Sequence, residues 1–303
     1  MGRSPSPSVP PLTAQLATEL LDEACYVAGL DATSAQPLRL GENALFQLPA
    51  SAVVVRIARA MAYWSDAVNE VNVARWLGDR SFPGAEVLDV LQPIEVGGHP
   101  VTFWRFIDGR DGGRDDIGAL GAVLRRLHSL PRPTSFNLPS EDILGRVDSR
   151  VSNAAVSDED KRFLRRLVND LTSRLEGLVF PLAPAPTHGD AHVKNIMIRD
   201  SEAVMIDFER FAWGQPEWDL AMTATEYASA GWWSPEEYRT FVDAYGYDVM
   251  SWEEGFDVLR RVHELKMTTW LMQNVNESPQ ISEEFQVRMR TIRGGASETW
   301  RAF

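Results

Sequence analysis

Residues Thr187 to Asp207 read THGDAHVKNIMIRDSEAVMID. The stretch opens with a compact polar loop, His188-Gly189-Asp190-Ala191-His192-Val193-Lys194-Asn195, and continues into a short apolar run, Ile196 to Ile198. A polar turn, Arg199-Asp200-Ser201-Glu202, separates it from a second apolar run, Ala203 to Ile206, which ends at Asp207. Two short apolar runs around a polar turn predict a β-hairpin. Asn195 enters its first strand and Asp207 leaves its second, so antiparallel pairing is expected to put both at the same open end. Asp190 lies just before that end. Three oxygen-bearing side chains are thereby expected at one point.

Oxygen ligands of this kind suit Mg²⁺, which takes few protein ligands and completes its shell with water and phosphate. A further carboxylate beside it can take a proton from a hydroxyl. A base at the nucleophile with an Asn and an Asp on the metal is the arrangement that phosphoryl transfer needs. The plain alternative is a hairpin with solvated polar ends and an Asp that caps a helix. HGDxxxxN followed by IDFE, with Asp207 twelve residues after Asn195, favours the transfer chemistry.

On these residues the chain resembles the aminoglycoside phosphotransferase family of kinase-like small-molecule phosphotransferases, with choline, homoserine and macrolide kinases as relatives. The resemblance is carried by His188-Gly189-Asp190, Asn195 and Ile206-Asp207-Phe208-Glu209, and by Gln215-Pro216-Glu217-Trp218-Asp219-Leu220-Ala221. It implies an α+β, bilobal protein-kinase-like fold. A small N-terminal antiparallel β lobe with one key helix would precede a larger, mostly helical C-terminal lobe.

The bulk composition agrees with such a protein. At 303 residues the chain is long enough for a large core and two subdomains. Its 44% hydrophobic and 24% charged residues are those of a soluble globular protein. The single cysteine, Cys25, excludes an internal disulfide and fits a reducing, cytoplasmic compartment. No apolar run approaches the length of a membrane span. The Pro/Ser-rich residues 1–11 lack the apolar core of a signal peptide and are expected as a disordered tail. A formal charge of −13 argues against a nucleic-acid partner; the expected partner is a small molecule bearing a hydroxyl.

Residues 12–108 are expected to form the nucleotide-binding lobe. Residues 13–29 read as an amphipathic helix ended by Gly29. Residues 38–48 suggest two strands around a turn at Gly41-Glu42-Asn43, and 52–58 a further strand, from its β-branched run. Alternation sets Val54 and Arg56 on one face of that strand and Val53, Val55 and Ile57 on the other. The resemblance implies that Gly41 and Asn43 cover the nucleotide phosphates, Val54 roofs the base and Arg56 reaches the phosphates. The last position is usually Lys in protein kinases, and Arg offers a planar fork instead of a point charge. Residues 65–78 read as a helix with Ser65 as its N-cap; the resemblance pairs its Glu70 with Arg56. Residues 85–91 and 100–106 read as two strands with Gly97-Gly98 in the turn. The backbone of Trp104, Arg105 and Phe106 would then meet the adenine edge, and residues 109–303 would form the catalytic and substrate-binding lobe.

Helical spacing returns at Leu120, Val123, Leu124 and Leu127, and again from Phe163 to Leu175. His128 is expected to be structural. After the hairpin, residues 213–219 read as a loop and 220–230 as a helix, followed by helices over 235–246, 253–276 and 280–293. The resemblance makes Asp190 the base, Asn195 and Asp207 the Mg²⁺ ligands, and ATP or GTP the phosphate donor. His188 and Asp219 would hold the catalytic loop. His192 would either neighbour the γ-phosphate or be structural. Glu209, where protein kinases have glycine, would supplement the metal, meet a cationic acceptor or be braced by Arg210. Glu226, Trp232, Trp233, Glu264 and Trp270 are candidates for acceptor contacts.

The function expected is γ-phosphate transfer to a hydroxyl of an antibiotic-like acceptor, with a role in antibiotic resistance. The alternatives are a metabolic kinase for choline, homoserine or a sugar, and a binding-only pseudokinase supported by Arg56 and Glu209. A metal hydrolase built on His188, Asp190 and His192 leaves Asn195 and Asp207 unexplained.

Overall fold

The structure, a computed structural model, describes residues 12–41, 43–294 and 298–303. The tail expected at 1–11 and Glu42 in the expected turn lie outside the described residues. Helix α1 (Ala14–Ala28) starts where the Thr13 hydroxyl accepts the Leu16 N–H and stops at Gly29, whose φ is 69°. Strands β1 (Gln36–Leu40), β2 (Asn43–Leu48) and β3 (Val53–Ala58) follow, then α2 (Trp64–Gly78), β4 (Ile94–Val96) and β5 (His99–Arg105). After a short β6 (Arg110–Asp111) come α3 (Ile117–His128), α4 (Val147–Asn153) and α5 (Asp158–Glu176). Strands β7 (Ala185–Thr187), β8 (Ile196–Arg199), β9 (Glu202–Met205) and β10 (Ala212–Gly214) lead to α6 (Pro216–Ala228), α7 (Pro235–Tyr245), α8 (Glu253–Met272) and α9 (Pro279–Ile292).

The chain divides into two units, and the division is discontinuous in sequence. The first takes the residues up to Arg110 together with Met197–Arg210; the second takes Asp111–Ile196 and Phe211–Phe303. Residues 197–210 thus count with the first unit although they follow the boundary drawn at 108/109 from sequence.

The first unit is built on an antiparallel sheet in the order β1-β2-β3-β5-β4. Its core follows the alternation of β3. Val53, Val55 and Ile57 are buried with Ala17, Leu21, Phe46, Val101 and Phe103, while Val54 and Arg56 take the other face. The β8–β9 hairpin is present, and it is fastened to this unit by two bonds, Met205 N–H to Pro83 O at 2.9 Å and Ala85 N–H to Met205 O at 2.8 Å.

Two expectations need correction here. Residues 85–91 form no strand: Val87 makes one isolated bridge to Trp104, and Leu88 and Val90 pack against the core. The strand that pairs with β5 across the Gly97-Gly98 turn is β4, with β3 on the other edge of β5. Apolar residues report burial, and here the burial serves an irregular segment. Ser65 is not a cap, because the 3₁₀ turn Met61–Tyr63 runs directly into α2 and helical geometry begins at Trp64.

The second unit is mainly helical. α3 packs on α7, α6 on α8, and α8 on α9. A small antiparallel pair, β7 with β10, sets Thr187 opposite Ala212. Residues 216–219, expected as loop, are the first turn of α6. Pro216 at its first position is pre-set for a helix and has no N–H to leave unsatisfied. No helix among the described residues is long and apolar enough to cross a membrane.

Candidate active site

In the second unit the loop after β7 is held from beneath. Asp219, in the first turn of α6, accepts the backbone N–H of His188 at 2.7 Å and that of Gly189 at 2.8 Å. Gly189 has φ of 78°, the left-handed region that a residue without Cβ enters freely. The turn made there leads the chain to Asp190. Trp218 adds a bond from its Nε1–H to Gly189 O, at 3.4 Å. Asp219 is itself fixed by His128, whose Nε2 lies 3.1 Å from Oδ2 and whose Nδ1 lies 2.9 Å from the Tyr245 hydroxyl. Burial pushes the Asp219 carboxyl up, but the hydrogen bond and charge of His128, with His188, outweigh it and hold the pKa below the ordinary value. Asp219 is therefore a buried, ionised acceptor for the loop amides.

What the brace presents is Asp190, whose side chain is 47% exposed. The Asn195 amide donates from Nδ2 to Asp190 O at 2.8 Å, which turns its amide oxygen away from that carbonyl. His192 Nε2 lies 3.8 Å from Asp190 Oδ2, while its Nδ1 accepts the Lys194 N–H at 3.2 Å, capping the turn that ends at Asn195. Lys194 donates from Nζ to Gly112 O at 3.3 Å.

In the first unit a cation gathers three carboxylates. The Arg56 guanidinium forms a short ion pair with Glu70, bonds Glu209 at 3.2 Å and lies 3.7 Å from Asp207. Glu209 is thus braced by Arg56 across 153 residues of sequence. Asp207 has φ of 63°, a conformation that a non-glycine residue enters at a cost, and its side chain is 45% exposed. Burial works against the charge on Arg56, but Glu70, Asp207 and Glu209 outweigh it and raise its pKa. Burial pushes Glu70 the other way from an ordinary paired carboxylate, up to about 7; Arg56 pulls it down while Asp207 and Glu209 add to the rise. One cation among three anions leaves the most buried anion undercompensated. Asn43 lines the same recess as Arg56, Glu70 and Glu209, and Gly41 N–H donates to Asn43 O at 3.2 Å.

The adenine-edge expectation is narrowed by the main chain. Arg105 N–H donates to Glu86 O and Phe106 N–H to Ala52 O, both at 2.8 Å, so neither donor is left for a ligand. Trp104 pairs with Val54 across the sheet and tilts against Phe208, with ring centroids 6.5 Å apart.

The candidates for acceptor contacts separate into two groups. Glu264 is buried and engaged by Ser229 at 2.5 Å and Arg260 at 2.6 Å, which leaves it a structural part. Trp270 is exposed on α8. Glu226 is buried too, accepts Trp233 Nε1–H at 2.8 Å, and stands where the charge of Asp190 acts on it. Burial raises its carboxyl to about 7, with Trp233 lowering and Asp190 raising it. Trp232 donates from its indole to Trp300 O at 2.7 Å. His128 and Trp218 are the supports for which sequence alone assigned no partner.

Asp207 in the first unit and Asn195 in the second each carry the side-chain oxygen that a hard cation takes, and no group of three or more His, Cys, Asp or Glu among the described residues is arranged to hold a metal by itself. Mg²⁺ bound together with a triphosphate needs only one or two such ligands.

Comparison with known proteins gives the chemistry its family. Several solved structures share the fold across nearly the whole chain. An amicoumacin kinase in complex with AMP-PNP, Ca²⁺ and its antibiotic matches with a TM-score of 0.72 at 15% identity, over 91% of this chain and 92% of that one. A spectinomycin phosphotransferase in complex with ADP and spectinomycin matches at 0.62 and 17% identity, over 91% and 93%. The choline kinase LicA from Streptococcus pneumoniae matches at 0.64 and 15% identity, over 91% and 98%. No curated protein matches by sequence. The fold is protein-kinase-like, with an antiparallel sheet in the N-terminal portion and helices in the C-terminal portion. The profile of the phosphotransferase enzyme family matches residues 36–265, and the chain belongs to that family.

Proposed function

We propose that this phosphotransferase moves the γ-phosphate of ATP or GTP to a hydroxyl of a small antibiotic-like acceptor, and that it thereby confers antibiotic resistance. The observation that carries the reading is the Asp219 brace, which spends a buried carboxylate on two loop amides in order to hold Asp190. Such support is what a group needs when its placement decides the rate. Asp190 is the base: the acceptor hydroxyl gives its proton to the Asp190 carboxylate as its oxygen bonds to the γ-phosphorus and the nucleoside diphosphate leaves with the bridging oxygen. Arg56, positioned by Glu70, meets the nucleotide phosphates. Asn195 and Asp207 would hold Mg²⁺, which neutralises phosphate charge when bound. Gly41, Asn43, Val54 and the Trp104 region complete the nucleotide site, and Cys25 fits a cytoplasmic setting.

The antibiotic acceptor draws support from the likeness to the amicoumacin kinase and the spectinomycin phosphotransferase. A second reading, a metabolic kinase for a cationic alcohol such as choline, is favoured by Glu226, a carboxylate beside an indole and within reach of the Asp190 charge. The test is a panel of amicoumacin, spectinomycin, an aminoglycoside, a macrolide, choline, ethanolamine and homoserine, each with Mg²⁺ and ATP or GTP. One acceptor-dependent release of nucleoside diphosphate is the expected result. Nucleotide binding by thermal shift with no turnover on any member would instead support a binding-only protein.

A further inference from the structure

Residues 298–303 fold back onto the turn that follows α6. Trp300 is 2% exposed and makes two bonds to that turn and a third to α9. Its N–H donates to Ala230 O at 3.0 Å, its carbonyl accepts the Trp232 indole at 2.7 Å, and its own indole donates to Thr291 at 3.2 Å. Gly231 sits against Thr299 with φ of 69°; a Cβ there would come within 3.3 Å of the Thr299 hydroxyl. Residues 230–232 and 299–300 are thus fitted to each other at backbone level.

A buried cation secures the segment. Arg288 is 2% exposed, pairs with Glu284 at 2.8 Å, and lies 4.8 Å over the Trp300 ring. Its remaining donors go to main-chain carbonyls, Met267 O at 3.1 Å and Arg301 O at 2.6 Å. A buried guanidinium is tolerated only when its donors are matched, and one of its partners belongs to residues 298–303.

The same turn reaches Glu226 from its other side. Trp232 N–H donates to Glu226 O at 2.9 Å, and Trp233 Nε1–H donates to the Glu226 carboxylate at 2.8 Å. Arg114 closes it from outside, with a bond to Trp232 O at 2.7 Å and its guanidinium 5.2 Å over the Trp233 ring. Packing, hydrogen bonding and a buried charge therefore run without a break from Arg288 through Trp300, Trp232 and Trp233 to Glu226.

We infer that residues 298–303 are a positioning clamp for the acceptor side of the site, with Trp300 setting the Trp232–Trp233 turn and, through it, the Glu226 carboxylate. This rests on the proposed function for its catalytic meaning, although the clamp itself does not. None of these clamp residues touches substrate; they act through Glu226.

The test compares the full chain with a variant ending at Ser297 and with Trp232→Phe, which removes only the indole N–H. Hydrogen exchange is read at the Ala230 and Trp232 amides, which are bonded to Thr225 O and Glu226 O. Both should exchange roughly tenfold faster in Trp232→Phe, about the factor that one net hydrogen bond is worth, and faster still in the shortened chain. The His188 and Gly189 amides, held by Asp219, should be unchanged. With an acceptor found by the panel, the acceptor KM should rise several-fold while the nucleotide KM stays put. If the shortened chain does not fold, Trp232→Phe decides alone. Unchanged exchange at Ala230 and Trp232 would overturn the clamp; faster exchange with an unaltered acceptor KM would overturn its positioning role. A wild-type chain that phosphorylates no acceptor would sink the functional reading while leaving the exchange result to judge the clamp.

Discussion

The buried carboxylate of Asp219 accepts the backbone N–H of His188 at 2.7 Å. With the second bond from Gly189 and the His128 contact, it ties the first turn of α6 to the loop that carries Asp190. Asp219→Ala would leave both amides without acceptors and remove an ionised partner. The expected loss is on the order of 2–4 kcal/mol of stability, read by urea denaturation, together with a fall in kcat. Undiminished stability would mean that the loop holds itself.

The Arg56 cluster makes a separate prediction. Arg56→Ala would strand Glu70, whose side chain is 4% exposed, and should cost about 3–5 kcal/mol. Arg56→Lys should keep most of that stability, because it keeps the charge. It should still weaken nucleotide binding, since an ammonium cannot fork to Glu70 and Glu209 at once. Thermal-shift titration with ATP and Mg²⁺ measures the second effect.

How far these features could be read in advance depends on their range along the chain. The α1 caps and the two faces of β3 are local, and Thr13, Gly29 and the β-branched run announce them. The Arg56–Glu70 pair and the role of Asp219 were reachable through the family resemblance, since His188-Gly189-Asp190 and the element around Asp219 are both present. The Arg56–Glu209 bond joins residues far apart in sequence, and nothing near Glu209 distinguishes Arg56 from the adjacent Arg210 as its partner. Residues 85–91 look like a strand because burial and strand pairing leave the same apolar mark. Glu226 and Glu264 look alike in sequence; only packing shows that Arg260 and Ser229 already engage Glu264 while the Glu226 carboxylate meets the Trp233 indole.

That contrast can be measured. Glu226→Gln should raise the acceptor KM while leaving the nucleotide KM unchanged. Glu264→Gln should lower the melting temperature, because it weakens the bonds to Arg260 and Ser229, with no change in the acceptor KM. Equal effects of the two on the acceptor KM would contradict the separate roles.

A pH effect on folding follows from His263. This residue is buried, stacked on Trp218 with ring centroids 3.8 Å apart, and its Nε2 lies 3.1 Å from Trp218 O. Burial pushes its pKa from 6.5 down to about 3, and Lys266 adds to the fall. The unfolded chain therefore binds a proton between these values that the folded chain refuses. The contribution is whole above pH 6.5 and declines as pH drops toward 3, by up to ~1.4 kcal/mol per pH unit. His263→Gln should flatten the stability profile between pH 6 and pH 4 (by about one such slope). An unaltered profile would mean that His263 does not titrate as its surroundings require.

The most direct test of the account is the rate of phosphate transfer from ATP, with Mg²⁺, to the acceptor found by the panel, measured in a single turnover for the wild-type chain and for Asp190→Asn. Loss of a positioned general base should slow transfer by about 10²–10⁴-fold, with nucleotide binding retained. Transfer by Asp190→Asn at the wild-type rate would contradict the assignment of Asp190 as the base.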